Sequence, residues 1–212
     1  MNPNLLILTV GLSYIVVFGA MSVLKREGLS TQFALEGLAV TALVVVGGLL
    51  SGSAVNPILF LVFIYVVTMR ARLLVDVAIL LSQRGRQRDA INVLQMALST
   101  FPDRTARLII LTNMGIVQLR RQNPQSAEQL FETVLEEARQ GGLGIQHQAA
   151  CHYNLGLALR RQGKEIEAVQ EFNNAINTFP NSMYSKEAAR ALQERRRGKA
   201  GSGASPDDIQ PM

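Results

Sequence analysis

Few residues in this sequence are of a type and spacing that could do covalent chemistry. The only two histidines, His147 and His152, stand five apart with no acidic cluster beside them. That is a poor helical spacing for shared metal ligation, so both read as structural or surface residues. The single cysteine, Cys151, excludes an internal disulfide framework and a cysteine-based metal site. No nucleophile elbow, phosphate-binding loop, dinucleotide fingerprint or CxxC pair is present. Glu36 stands alone as an acid at the edge of a long apolar stretch, which invites a proton-relay reading. A carboxylate in the first turn of a helix beside the interface is the simpler account, because the helix dipole favours it there. These residues predict no catalysis and no cofactor; what remains is a surface for binding.

The elements that would position such a surface are helices. Lys25, Arg26, Glu27 and Glu36 are the only charged residues before Arg70, which leaves 19 basic against 14 acidic residues for the rest of the chain. Residues 5–24 are uncharged and long enough to cross a hydrocarbon core of about 30 Å as a helix. A cleaved signal peptide is the competing reading, but MNPN carries no positive charge and Lys25-Arg26-Glu27 stands where a small-residue cleavage site belongs. Residues 37–69 hold no charge either and are too long for one ordinary span. SGSAVNP at 51–57 supplies turn residues, with Pro57 suited to a first helical turn. The reading is a helical hairpin, giving a membrane anchor over 1–69 with helices at about 5–24, 33–50 and 54–69, the third short enough that a re-entrant hairpin stays open. Gly47-Gly48 would permit close packing or a bend, and Arg70 could snorkel to the interface. Basic residues flank the first loop and follow the third helix, so the positive-inside rule places residues from 70 onward in the cytoplasm or a stroma-like compartment. The N-terminus and the 51–56 turn then lie outside. With no linker after Met69, one continuous helix is expected to leave the bilayer and join the following domain.

From Ala149 to Ser182 two amphipathic patterns are broken at RQGK and ended by Phe179-Pro180-Asn181. Leu155, Gly156, Leu159, Ala168, Phe172, Ala175 and Pro180 sit at offsets that resemble a tetratricopeptide repeat (TPR). The same template moved back 41 residues meets Gly115, Ala127, Phe131 and Val134, and moved a further 37 meets Ala78, Ala90, Leu94, Ala97 and Pro102. Joined to the apolar stretches before it, the resemblance implies an all-α fold: a three-helix transmembrane anchor followed by a TPR α-solenoid over 70–197. Its repeats lie at 71–104, 108–141 and 149–182, with QGGLGIQ (140–146) a longer connection and 183–197 a capping helix. GKAGSGASPDDIQPM (198–212) reads as a disordered tail, whose Pro206-Asp207-Asp208 could reach the domain's own groove.

The resemblance also implies which residues line a groove: Thr112, Asn113, Ile116, Leu119 and Arg120 in the second repeat, and Tyr153, Asn154, Leu157, Arg160 and Arg161 in the third. The asparagines would donate to and accept from a peptide backbone, and the arginines would meet carboxylates. Similarity to chaperone-binding TPRs is partial, because Val75, Ile79 and Ala150 stand where clamp lysines belong. Membrane-anchored TPR assembly factors of bacteria, cyanobacteria and plastids are similar in layout. Two functions follow: a scaffold that recruits or helps assemble a membrane complex, photosynthetic complexes among them, or a stoichiometric subunit held by its transmembrane helices. A small transporter or protease cofactor working through Glu36 and the hairpin is a third. The expected partners are complex subunits or client peptides and the lipid bilayer, with no nucleic acid, since no basic stripe is interleaved with aromatics.

Overall fold

A computed structural model describes residues 3–24, 31–53 and 55–202, and every regular element among them is an α-helix. The first three are α1 (Pro3–Leu24), α2 (Thr31–Ser51) and α3 (Pro57–Thr68). There follow α4 (Arg70–Gln83), α5 (Gln87–Ser99), α6 (Arg104–Arg120), α7 (Pro124–Ala138), α8 (Ile145–Arg161), α9 (Glu165–Thr178) and α10 (Met183–Ser202). Lys25 and Arg26, on which the expected orientation leans, lie outside the described residues.

Small residues let α1 and α2 approach closely. A Cβ on Gly37 would stand 2.9 Å from Ile15, one on Gly48 would stand 2.8 Å from Asn4, and one on Gly11 would collide with Thr41. Gly47 faces open space, so only the second glycine of the pair serves packing. The buried Thr41 hydroxyl donates to the Gly37 carbonyl at 2.7 Å and needs no other partner. Ile7, Tyr14, Phe60 and Ile64 form the core where α3 joins. The outer faces stay apolar: Leu43, Leu50 and Ile58 are each more than 70 % exposed. α1 and α2 are long and apolar enough to cross a membrane.

The third helix differs from expectation. Asn56 caps it, accepting from Ile58 N at 2.9 Å, so it starts at Pro57 and not at 54. Its 12 residues rise about 18 Å, short of a hydrocarbon core of about 30 Å. It does not run straight into the next domain either, because α3 and α4 meet at 72°. No proline or glycine makes this bend. Met69 sits at φ −102°, ψ 11°, and the Arg70 guanidinium folds back on the Val67 carbonyl at 2.8 Å, a side chain inserted at the end of the helical ladder. The same guanidinium holds the Thr100 carbonyl at 3.0 Å and both Glu36 oxygens, at 2.5 and 2.9 Å. Two expectations are corrected here. Glu36 lies in the second turn of α2, where the ion pair and not the helix dipole accounts for it, and Arg70 is tied down rather than free to snorkel.

Beyond the bend the chain forms antiparallel hairpins α4–α5, α6–α7 and α8–α9. Each first helix ends on a left-handed residue at the equivalent position: Gly85 (φ 78°), Gln122 (φ 61°) and Gly163 (φ 79°). Inside the last two hairpins a glycine meets a phenylalanine. A Cβ on Gly115 would stand 2.7 Å from the Phe131 ring, and one on Gly156 would stand 2.7 Å from Phe172. The first hairpin uses Ala78 and Leu94, both fully buried, with the larger small residue opposite the smaller large one. α6 and α8 begin about a turn before the motif. Asp103 caps α6 by accepting from Ala106 N at 2.7 Å, and the expected 140–146 connection shortens to 139–144 with Leu143 buried.

The first helices pack in order, α4 to α6 to α8, with α10 following on α8, while α5, α7 and α9 stand farther from one another. The row therefore curves with the first helices inside. α10 packs on α9 and α8 through Ala188 and Ala191. It continues to Ser202, so the expected disorder from 198 is corrected for its first residues; 203–212, with Pro206, Asp207 and Asp208, lie outside the described residues.

Two outcomes are expected. In detergent-solubilised protein, Gly156→Ala should lower unfolding stability by about 1–2 kcal/mol through overpacking. Adding Phe172→Leu, which reproduces the Ala78–Leu94 pairing, should cost less than the sum of the two single changes in a double-mutant cycle. Glu36→Gln should cost about 1–3 kcal/mol by leaving Arg70 uncompensated, with Arg70→Lys in between. Hydrogen exchange at 69–72 and 100–102 would locate the loss.

Candidate partner-binding face

The residues expected to line a groove divide sharply once their surroundings are known. Thr112 and Leu119 are buried, at 4 % and 5 % exposure, and neither can meet a partner. Thr112 donates its hydroxyl to the Leu108 carbonyl at 2.8 Å and meets Cys151 Sγ at 3.2 Å, which leaves the thiol to donate back. Burial pushes the Cys151 thiol up to about 11 despite that hydrogen bond.

Asn113 and Asn154 occupy equivalent positions and behave alike. Each donates its amide to a carbonyl one turn earlier, Ile109 and Ala150 respectively, at 2.8 Å. One of the two amide hydrogens of each is therefore committed, and Asn154 is buried besides. Asn113, half-buried, is the more accessible of the two and keeps a second amide hydrogen and its amide oxygen. The arginines also hold the fold. Arg120 of α6 reaches back to Ser82 Oγ on α4 at 2.8 Å, and Arg161 of α8 reaches the Leu119 carbonyl at 2.5 Å. These matched braces join each first helix to the one before it. Both residues remain exposed, so their charge still borders the inner face.

Tyr153 and Arg160 are drawn toward the end of the row. The Tyr153 ring lies 6.0 Å from Phe172 and 6.1 Å from Tyr184 of α10, and burial pushes its phenol up. Arg160 stands 5.8 Å over Phe172 and 4.0 Å from Glu194 of α10. What the structure leaves on the inner face of α6 and α8 is Asn113 with the half-buried Ile116 and Leu157, edged by Arg120 and Arg161.

Sequence reasoning passed over the glutamates. Glu128 of α7 is 9 % exposed and takes hydrogen bonds from Gln162 and Lys164, both at 2.6 Å. Burial pushes its carboxyl up, but those two bonds outweigh it and hold the group below the ordinary range. Between α7, α8 and α9 lies an open cavity of about 800 Å³ lined in part by Glu132, Glu136, Gln148, His152 and Glu171. His152 Nδ1 is bonded to Glu171 at 2.7 Å. Among the described residues no group of histidine, cysteine and carboxylate side chains is placed to hold a metal ion. The buried glutamate had one legible signal, the lysine and glutamine bracketing Gly163 at the next hairpin's turn.

Because Cys151 is the only cysteine, its burial is directly readable. At pH 8 a thiol reagent should leave the folded protein unmodified and label one group per chain after denaturant is added; labelling of the folded protein would place the thiol elsewhere.

Among curated proteins none matches the chain. Residues 104–181, spanning α6 to α9, match the family described as tetratricopeptide repeat, and α4–α5 stands outside the matched segment. Such repeats are protein-interaction modules rather than enzymes, so the match points this all-helical chain toward binding other proteins.

Proposed function

We propose that the protein is a membrane-bound interaction scaffold: helices α1 to α3 anchor it, and a TPR α-solenoid of three repeats, α4 to α9 with α10 as cap, offers its inner face to protein partners. The observation that carries this reading is the Arg70 junction. One guanidinium joins Glu36 of α2 to the Thr100 carbonyl at the end of α5, so the repeats are fastened to the anchor instead of tethered to it. A groove held at a fixed height and angle suits recruiting segments of membrane-complex subunits and aiding their assembly, and it loses the entropy cost of positioning beforehand. Photosynthetic complexes are one class of client that fits.

The anchor's course supports a hairpin that returns. α3 begins just after α2 ends, and Arg70 comes back beside Glu36 near the start of α2. A short α3 is then met by local thinning of the bilayer, which costs fractions of a kcal/mol per Å of mismatch. With the N-terminus outside, the basic residues from Arg70 onward face the cytoplasm or stroma, in a bacterial inner membrane or thylakoid.

Ile116 and Leu157 supply the apolar floor of the groove, Asn113 an acceptor and one free amide hydrogen, and Arg120 and Arg161 attraction for an acidic segment. Tyr153, Arg160, Asn154 and Thr112 shape it from behind. A second reading, a stoichiometric subunit bound through α1 to α3, is favoured by the apolar outer faces of those helices.

The test is affinity purification from native membrane in mild detergent, with partners and stoichiometry read by mass spectrometry. Asn113→Ala with Ile116→Gln and Leu157→Gln should cut substoichiometric partners roughly tenfold, about 1.4 kcal/mol of binding, and Thr133→Ala, on an exposed hydroxyl of α7, serves as the control that keeps them. Partners at one-to-one that survive the triple change would favour the subunit reading. Recovery of the protein alone would remove both.

A further inference from the structure

Phe101 is the most exposed of the large hydrophobic side chains among the described residues, at 85 %. It sits in the turn between α5 and α6 with φ 51°, a left-handed conformation that a bulky side chain adopts only when its surroundings impose it. Those surroundings are specific. Gln32 Nε2, in the first turn of α2, donates to the Phe101 carbonyl at 2.8 Å. Arg70 holds the preceding Thr100 carbonyl through Nε at 3.2 Å and Nη2 at 3.0 Å. On the other side Pro102 and the Asp103 cap fix the start of α6.

The turn is therefore pinned to one end of an apolar helix. Gln32 also donates to Glu36 one turn deeper, so Gln32, Glu36 and Arg70 mark the height at which α2 changes from apolar to polar. Phe101 stands at the outer edge of that polar layer, beside a helix whose Leu35 is 71 % exposed. An aromatic ring held at such a height meets the boundary between headgroups and acyl chains. Resting on the membrane-anchor reading above, we infer that Phe101 is an interfacial lipid contact: its ring enters that boundary beside α2 and makes the α5–α6 turn an attachment to the bilayer additional to the helices. The strained backbone aims the ring, and the two carbonyl bonds keep it aimed.

The chain contains no tryptophan, so a single introduced one reports its own surroundings. Full-length Phe101→Trp would be reconstituted in phosphatidylglycerol–phosphatidylcholine vesicles with lipids brominated near the top of the acyl chain. Leu43→Trp, on the outer face of α2, and Ile166→Trp, 82 % exposed on α9, are the references. Phe101→Trp should emit blue-shifted from Ile166→Trp and lose about half its intensity or more to the brominated lipid, whereas Ile166→Trp keeps its intensity. If Leu43→Trp is quenched and Phe101→Trp is not, the turn does not touch lipid and the inference fails alone. A blue shift without quenching would assign the ring to a protein partner or a second copy and likewise overturn it. If Leu43→Trp itself is unquenched, the membrane-anchor reading falls, and the inference with it.

Discussion

The ion pair between Glu36 and Arg70 is the contact on which the relation between the two halves of this protein depends. It joins the second turn of α2 to the first residue of α4, across a bend of 72° that contains neither proline nor glycine. Both side chains are mostly withdrawn from solvent, so each charge would be costly without the other. The guanidinium also satisfies the carbonyls of Val67 and Thr100, which couples the end of α3 to the end of α5. A uniform helix through this point would have placed the first hairpin along the axis of α3. The bend turns it to one side, where Arg70 reaches Glu36 and the turn after α5 reaches Gln32.

Past the junction the fold repeats one solution with small adjustments. Each hairpin needs a place where two helices come close, and the residue pairs there conserve total volume: Ala78 with Leu94, Gly115 with Phe131, Gly156 with Phe172. Each hairpin must also be joined to its predecessor. Arg120 and Arg161 do this from equivalent positions, spending hydrogen bonds on Ser82 and on the Leu119 carbonyl. The arginines that border the inner face are thus part of what joins successive hairpins.

Under the scaffold reading proposed above, that linkage bears on what the inner face would recognise. One amide hydrogen of each asparagine returns to its own helix, and the face would offer apolar contact from Ile116 and Leu157, the remaining amide atoms of Asn113 and positive charge at its edges. On that reading it would suit a partly apolar, acidic segment. α10 takes Tyr153 and Arg160 for itself, which closes the row on that side.

The sequence by itself determined the helical class, the long apolar stretches before Arg70 and the spacing of small and large residues in the hairpins, because periodicity and residue placement are local properties. It also marked Pro57 as a first-turn residue and RQGK, which holds Gly163, as a helix break. It did not reveal that Glu36 belongs to Arg70, 34 positions away, or that the helix through Met69 would bend, because both depend on a carboxylate and a carbonyl supplied by other elements. The same limit explains the groove. Template positions say which side chains can face inward, but whether Thr112 is buried by Cys151, or Arg161 is drawn to a carbonyl of the preceding hairpin, is decided only when neighbouring helices compete for the same atoms.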